Sequence, residues 1–281
     1  MSDDPDARRA EARAGWERVA AGWQRMQARL SAVGMPVSRW MVDALEPQPG
    51  TTVLELAAGV GETGFLVAEL IAPGGGTLIC SDGAQAMLKA AEQRAAELGV
   101  ANVEFKQLEL EWIDLPTASV DAVLCRWGYM LVLDPEAALR ETRRVLRPGG
   151  RLALATWATL EHNPWGRVRN EALAAEGHPL PSPPTPFDLG TEELLRELLE
   201  QTGFAEIRTA RVAVEFVHDD ADDYWNTTLA ISRHFAELVD SLDAAAVQAL
   251  RTRMEQAVAP YATADGTLRF PGRALVAAAG A

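Results

Sequence analysis

The chain is poor in several things that would otherwise direct its reading. It has two cysteines, Cys80 and Cys125, both inside apolar runs that read as buried strands, so neither a structural disulfide nor a metal site is expected. Basic residues are scarce: 26 Lys and Arg stand against 40 Asp and Glu, a formal charge of -14 that opposes nucleic-acid backbone and anionic lipid and favours a small-molecule partner. No uninterrupted apolar run reaches membrane-spanning length, and the opening Met-Ser-Asp-Asp-Pro-Asp lacks a basic region followed by an apolar one. A cytoplasmic protein with no membrane insertion is therefore expected. Repeats and low-complexity tracts are absent apart from an alanine-rich background. What is present is a 281-residue chain with 48% hydrophobic content, enough for one large domain or a domain with a subdomain.

The most informative stretch is Val53 to Gly64, Val-Leu-Glu-Leu-Ala-Ala-Gly-Val-Gly-Glu-Thr-Gly: an apolar strand carrying one acid, a small-residue turn, then a helix start. Gly59 and Gly61 let backbone approach a ligand, and the helix N–H groups that follow favour a carboxylate or phosphate. The spacing Gly59-x-Gly61-x-x-Gly64 also satisfies the dinucleotide fingerprint, with Asp82 closing the next strand as a ribose ligand in either case. Glu55 in the strand and Glu62 in the turn would repel a pyrophosphate. A zwitterion with an ammonium, a carboxylate and a ribose diol removes that conflict.

Periodicity organises the rest. Trp16, Val19, Ala20, Trp23, Met26 and Leu30 fall at helical spacing, as do Val37, Trp40, Met41 and Leu45. Strands are expected at Val53–Leu56, Thr77–Cys80, Val103–Gln107, Asp121–Cys125 and Leu152–Trp157, the last after an Arg147-Pro148-Gly149-Gly150 turn. Helices at Gly64–Ile71, Ala84–Leu98 and Pro135–Leu146 alternate with them, which predicts a parallel sheet. Prolines 164, 179, 181, 183, 184 and 186 predict a long loop over 161–190. Thr191 caps a helix ended by Gly203, a strand runs through Ile207, Val212, Val214 and Phe216, and a helical insertion over about 219–260 precedes a closing strand, Leu268 to Ala278.

These features resemble the class I S-adenosylmethionine-dependent methyltransferases, in the branch that includes ubiquinone and menaquinone biosynthesis methyltransferases. The likeness rests on Val53 to Gly61, Asp82, Glu109-Leu110-Glu111 ahead of Leu115-Pro116, and Arg144-Val-Leu-Arg-Pro-Gly-Gly-Arg-Leu152. It implies an α/β Rossmann-like fold with a seven-stranded, mostly parallel sheet. Segment 1–48 forms an N-terminal helical lid, 49–160 the cofactor-binding core, 161–190 the proline-rich loop, and 191–281 the rest of the sheet with its lid-forming insertion. The implied cofactor is S-adenosylmethionine, with S-adenosylhomocysteine as product. Its contacts would come from Glu55, Ala57, Gly59, Gly61, Asp82, Gly83, Met87, Glu109, Leu110, Arg126 and, from the N-terminal helix, Trp23.

For the acceptor, a small and fairly apolar phenol, quinone-like compound or secondary metabolite, the candidates are Trp127, Tyr129, Met130, Asn163, Trp165 and Trp225. The tryptophans are expected to converge above the methyl group as a dry pocket, whereas Trp16, Trp40 and Trp157 read as packing residues. Methyl transfer needs alignment more than acid–base chemistry, but a hydroxyl or acidic carbon would use a base, for which His162, His218 and Tyr129 are the candidates. Two other classes stay open at this level, an NAD(P)-dependent oxidoreductase and a non-catalytic S-adenosylmethionine-binding regulator. A homodimer is neither required nor excluded.

Overall fold

The computed structural model describes residues 4–179 and 185–281. Helices α1 (Pro5–Arg25) and α2 (Gln27–Leu45) lead into β1 (Thr52–Glu55), α3 (Thr63–Ile71), β2 (Thr77–Asp82), α4 (Gln85–Leu98), β3 (Val103–Gln107), β4 (Val120–Arg126), α5 (Pro135–Val145) and β5 (Leu146–Trp157). Then come α6 (Pro164–Ala175), α7 (Glu192–Gln201), β6 (Ala205–His218), α8 (Ala221–Ile231), α9 (Arg233–Ser241), α10 (Ala244–Val258) and β7 (Leu268–Gly280). One seven-stranded sheet has the order β3-β2-β1-β4-β5-β7-β6, and β7 runs antiparallel to both neighbours. The expected Rossmann-like sheet is thus present.

The strand order reverses between β1 and β4, and in an open sheet of this kind the crevice beyond the carboxyl ends of the strands at that point receives a ligand. Glu55, Asp82 and Arg126 each end a strand there. The core fills both faces of the sheet, with Leu54, Leu78, Val123 and Leu154 fully buried, because strands covered on two sides are apolar at successive positions. A second apolar cluster lies among α6, α8, α9 and α10 around Phe235, Leu250 and Phe270.

Two local expectations need correction. Arg147-Pro148-Gly149-Gly150 does not precede the strand but lies within β5: pairing steps from Val120↔Leu146 to Ala122↔Arg151, so these residues bulge out of the ladder, helped by Gly149 at φ 78°. The segment 161–190 is not a single loop. Pro164 stands at the first turn of α6, where its missing N–H has no intrahelical partner to lose, and the helix continues to Ala175. Pro181, Pro183 and Pro184 lie outside the described residues. No helix among the described residues is long and apolar enough to cross a membrane.

Candidate active site

After β1 the chain turns sharply through Ala57 (φ 50°), Gly59 (φ 58°) and Gly61 (φ 73°). Ala57 takes a left-handed conformation despite its Cβ, a strain of roughly 1 kcal/mol that the turn imposes. A Cβ at Gly59 would meet nothing within 4 Å, one at Gly61 would strike the Phe65 ring at 2.5 Å, and one at Gly64 would strike Glu55 Oε2 at 2.2 Å. Of the three glycines, then, Gly59 borders open space, while Gly64 makes room for the Glu55 carboxylate. The Gly64 N–H donates to Glu55 Oε1 at 2.9 Å, anchoring the acid at the start of α3.

Burial raises Glu55 from its ordinary 4.5 to about 7, against the Gly64 hydrogen bond and the Arg126 charge that lower it. Its Oε2 has no partner, and neither has Oε1 of Glu62 in the same turn. Arg126 reaches the other Glu62 oxygen, and its Nη1 donates to Ser38 Oγ at 3.2 Å. Arg94 donates to the Gly61 carbonyl. Two unpaired carboxylate oxygens beside two guanidinium groups form a zwitterion's complement, and an ammonium would satisfy both orphaned acceptors. Asp82 accepts from Gly59 N and Ala84 N, each at 2.9 Å, and burial raises it to about 6.

Helix α1 covers this turn. Its Val19 and Ala20 pack with Val60, Ala84, Met87 and Ala90, which leaves Met87 buried. Ala84 has no side chain able to cap α4, and Glu17 of α1 caps it instead, accepting from Gln85 N at 2.6 Å and Ala86 N at 2.8 Å. Arg13 pairs with Glu109 at 2.7 Å, and Arg9 forks onto Glu111 at 3.1 and 2.9 Å. The Glu109 carboxylate lies against Gly83, where a Cβ would stand 3.1 Å from it, and Leu110 is buried. Trp23 donates its indole N–H to the Ile231 carbonyl at 2.9 Å, so its polar atom ties α1 to α8 rather than facing the turn.

Trp127 follows β4 at φ 63°, held by its N–H to the Ala155 carbonyl at 2.8 Å. Its ring stacks on Trp157 at 4.3 Å, with the Arg126 guanidinium 4.7 Å from its centroid, and its buried Nε1 has no acceptor. Trp165 meets Trp157 at 5.1 Å and Phe216 at 4.8 Å. Trp157, read as packing, is the centre of this cluster. Trp225 is not part of it: the ring is buried against Phe235, under Arg251, in the second core.

The remaining acceptor-side expectations change with the structure. Tyr129 is fully buried and hydrogen-bonded to Thr142 at 2.6 Å, because the single helical turn at Tyr129–Leu131 swings it inward, into the main core. Met130 beside it is likewise buried in the main core. Asn163 spends its side chain on structure, donating to Ala158, Thr159 and Arg273 carbonyls and accepting from Arg273 N and Trp165 Nε1, with nothing left for a ligand. His162 is exposed, with Nδ1 3.0 Å from Thr159 Oγ1.

His218 is buried between the rings of Tyr224 and Phe270. Its Nδ1 lies 3.5 Å from both Arg29 Nη1 and Asp223 Oδ2, while Arg29 pairs with Asp223 at 2.6 Å and Thr227 at 2.9 Å. Burial lowers His218 to about 4, with Arg29 adding to the fall and Asp223 opposing it. The ring is neutral at neutral pH and a weak base. Arg94, Ser38, Glu17 and Arg29 were not foreseen, since each acts through a partner far away in sequence.

Residues 47–203, more than half of the chain, match a family described as "Methyltransferase domain". The ubiquinone/menaquinone biosynthesis C-methyltransferase UbiE of Ectopseudomonas mendocina is 34% identical over 155 residues, covering 54% of this chain and 60% of that enzyme. The chain thus spans less than two thirds of that relative's length. Among solved structures, the YcgJ protein of Bacillus subtilis aligns over 86% of this chain and 97% of its own at 19% identity, with a TM-score of 0.58. The Haemonchus contortus phosphoethanolamine N-methyltransferase 2, solved with S-adenosylhomocysteine, aligns over 86% of this chain and 52% of its own at 16% identity and a TM-score of 0.53. The oxidoreductase reading gives way: the chain belongs to the methyltransferase-domain family.

Proposed function

We propose that this enzyme methylates, at oxygen or carbon, a small aromatic acceptor of phenolic or quinone-like character, bound against Trp127, Trp157 and Trp165. One observation carries the reading: at the carboxyl end of β4, a strained Trp127 holds an unpartnered buried N–H in an aromatic stack directly beside Arg126. Strain and an orphaned donor together mark a position kept for a ligand rather than for stability. The UbiE relative, named for C-methylation in quinone biosynthesis, supports an aromatic ring as the acceptor.

The residues divide the work as follows. Glu55 and Glu62 hold the cofactor's ammonium, Arg126 and Arg94 flank its carboxylate, Asp82 takes the ribose hydroxyls, and Met87, Glu109 and Leu110 surround the adenine. The cofactor supplies a methyl group made electrophilic by positive sulfur. Trp127 Nε1 donates to the acceptor oxygen and fixes the ring's approach, and the indole faces exclude water. His218, neutral and flanked by Arg29, orients the acceptor rather than acting as a strong base. Helices α1, α8 and α9 serve as the lid, joined through Trp23 to Ile231 and Arg18 to Glu237.

Release of S-adenosylhomocysteine tests this with a panel of phenols, catechols and naphthoquinols. Turnover of at least one ring class is expected, and Trp127→Phe, which keeps the stack but removes the N–H, should lower kcat/KM about tenfold. Its affinity for S-adenosylmethionine should not change. No turnover with any aromatic, or an unaffected Trp127→Phe enzyme, refutes the reading.

A further inference from the structure

Arg169 lies on α6 one helical turn beyond Trp165, so the two side chains leave the same face of the helix. It is only partly exposed, and its Nε and Nη2 share the Asn170 side-chain oxygen Oδ1 at 3.1 and 2.9 Å. That contact occupies one edge of the guanidinium. Among the described residues Nη1 has no partner and no carboxylate pairs with the group. Of the other sheltered arginines, Arg29 pairs with Asp223, Arg126 with Glu62 and Arg144 with Glu141, whereas Arg94 donates to the Gly61 carbonyl rather than to a carboxylate.

The surroundings of Arg169 are equally short of acid. Burial lowers its pKa, and the one group that opposes the fall is the Tyr224 phenol. On the other side its charge acts on His234 of α9. Tyr224 in turn donates to the Trp165 carbonyl and packs edge-on to His218. The guanidinium therefore lies within electrostatic reach of Tyr224 on α8 and His234 on α9, one helical turn along α6 from Trp165. In a chain of net charge -14, no carboxylate among the described residues pairs with this fork. A sheltered cation without a counter-charge is costly unless an anion arrives with the ligand.

We propose that the free edge of Arg169 binds a carboxylate carried by the acceptor, which makes the substrate an aromatic acid rather than a neutral ring. The two N–H groups of that edge, on Nη1 and Nη2, lie parallel and match a carboxylate's two oxygens. This inference rests on the proposed function and narrows its substrate class. It also assigns specificity to α6, outside the strand ends that bind the cofactor.

The experiment is calorimetric titration of the protein saturated with S-adenosylhomocysteine, using 1-naphthoate and 1-naphthamide, which differ in charge but scarcely in shape. Naphthoate should bind the unaltered protein at least about tenfold more tightly than the amide. Arg169→Gln should abolish that preference while leaving amide affinity as it was, and Arg169→Lys, which keeps charge but loses the fork, should restore part of it. Equal affinity for the two compounds in the unaltered protein overturns the proposal without recourse to any variant. So does failure of naphthoate to bind, or a preference that survives Arg169→Gln. Failure of S-adenosylhomocysteine to bind refutes the cofactor-site assignments instead, so the two readings fall separately.

Discussion

If Glu55 holds the cofactor's ammonium, binding must expel a proton. The folded, ligand-free protein keeps Glu55 protonated up to about pH 7, whereas in the unfolded chain it ionises near 4.5. Its contribution to stability is therefore present at low pH and lost as pH rises through 7, since ionisation then leaves a buried charge with an unpaired oxygen. An ammonium reverses the preference and selects the carboxylate. Affinity for S-adenosylmethionine should then fall by a factor of 1 plus ten to the power of 7 minus pH, about elevenfold at pH 6 and about 1.3-fold at pH 7.5. The ratio, about eightfold, corresponds to about 1.2 kcal/mol. Asp82, raised to about 6, works in the same direction and adds about twofold over the same interval. Titration calorimetry at the two pH values, in buffers of different protonation enthalpy, measures both the affinity and the proton. Glu55→Gln should bind more weakly, keep only the twofold slope, and melt higher than the unaltered protein at pH 8 in the absence of ligand. An affinity that does not change between pH 6 and 7.5, or an eightfold slope that survives in Glu55→Gln, refutes the reasoning.

Tyr129→Phe should lower stability by about 1 kcal/mol, the loss of one buried hydrogen bond to Thr142, with kcat and KM unchanged; a collapse of kcat in a folded variant would return Tyr129 to the catalytic set. Gly22→Val probes the lid, because a Cβ at Gly22 would stand 1.9 Å from the Ala230 carbonyl oxygen and push α1 off α8. Amide exchange in α1 should accelerate and S-adenosylmethionine should dissociate about tenfold faster, with the sheet's protection unaltered. Unchanged dissociation with α1 demonstrably loosened would show that the helix does not guard the site.

What the sequence revealed and what it concealed divide along one physical line. Buried parallel strands are apolar at successive positions and their crossover helices are amphipathic, so β1 to β5 and the turn from Glu55 to Gly61 are legible locally. Side-chain fate beyond a strand end is decided by contacts from elsewhere. Tyr129 and Trp127 are two residues apart, yet one is driven into the core by a single helical turn while the other is held in left-handed backbone beside Arg126. Pro164 reads as a breaker because proline disfavours a helix interior, but at the first turn of α6 the same ring is compatible with the helix it begins. The helix so missed carries Arg169. Similarly, Arg29 finds Asp223 across 194 positions and Glu17 finds Gln85 N across 68, distances at which a periodicity has nothing to report. The residues proposed to bind the cofactor lie mostly at the strand ends and are written in motifs. Those proposed for the acceptor, Trp127 and Trp157 beside the ends of β4 and β5 with Trp165 and Arg169 on α6, are brought together by packing, and an acceptor assignment for a chain of this fold therefore has to begin from the unpaired groups of the folded protein, here Trp127 Nε1 and the free edge of Arg169.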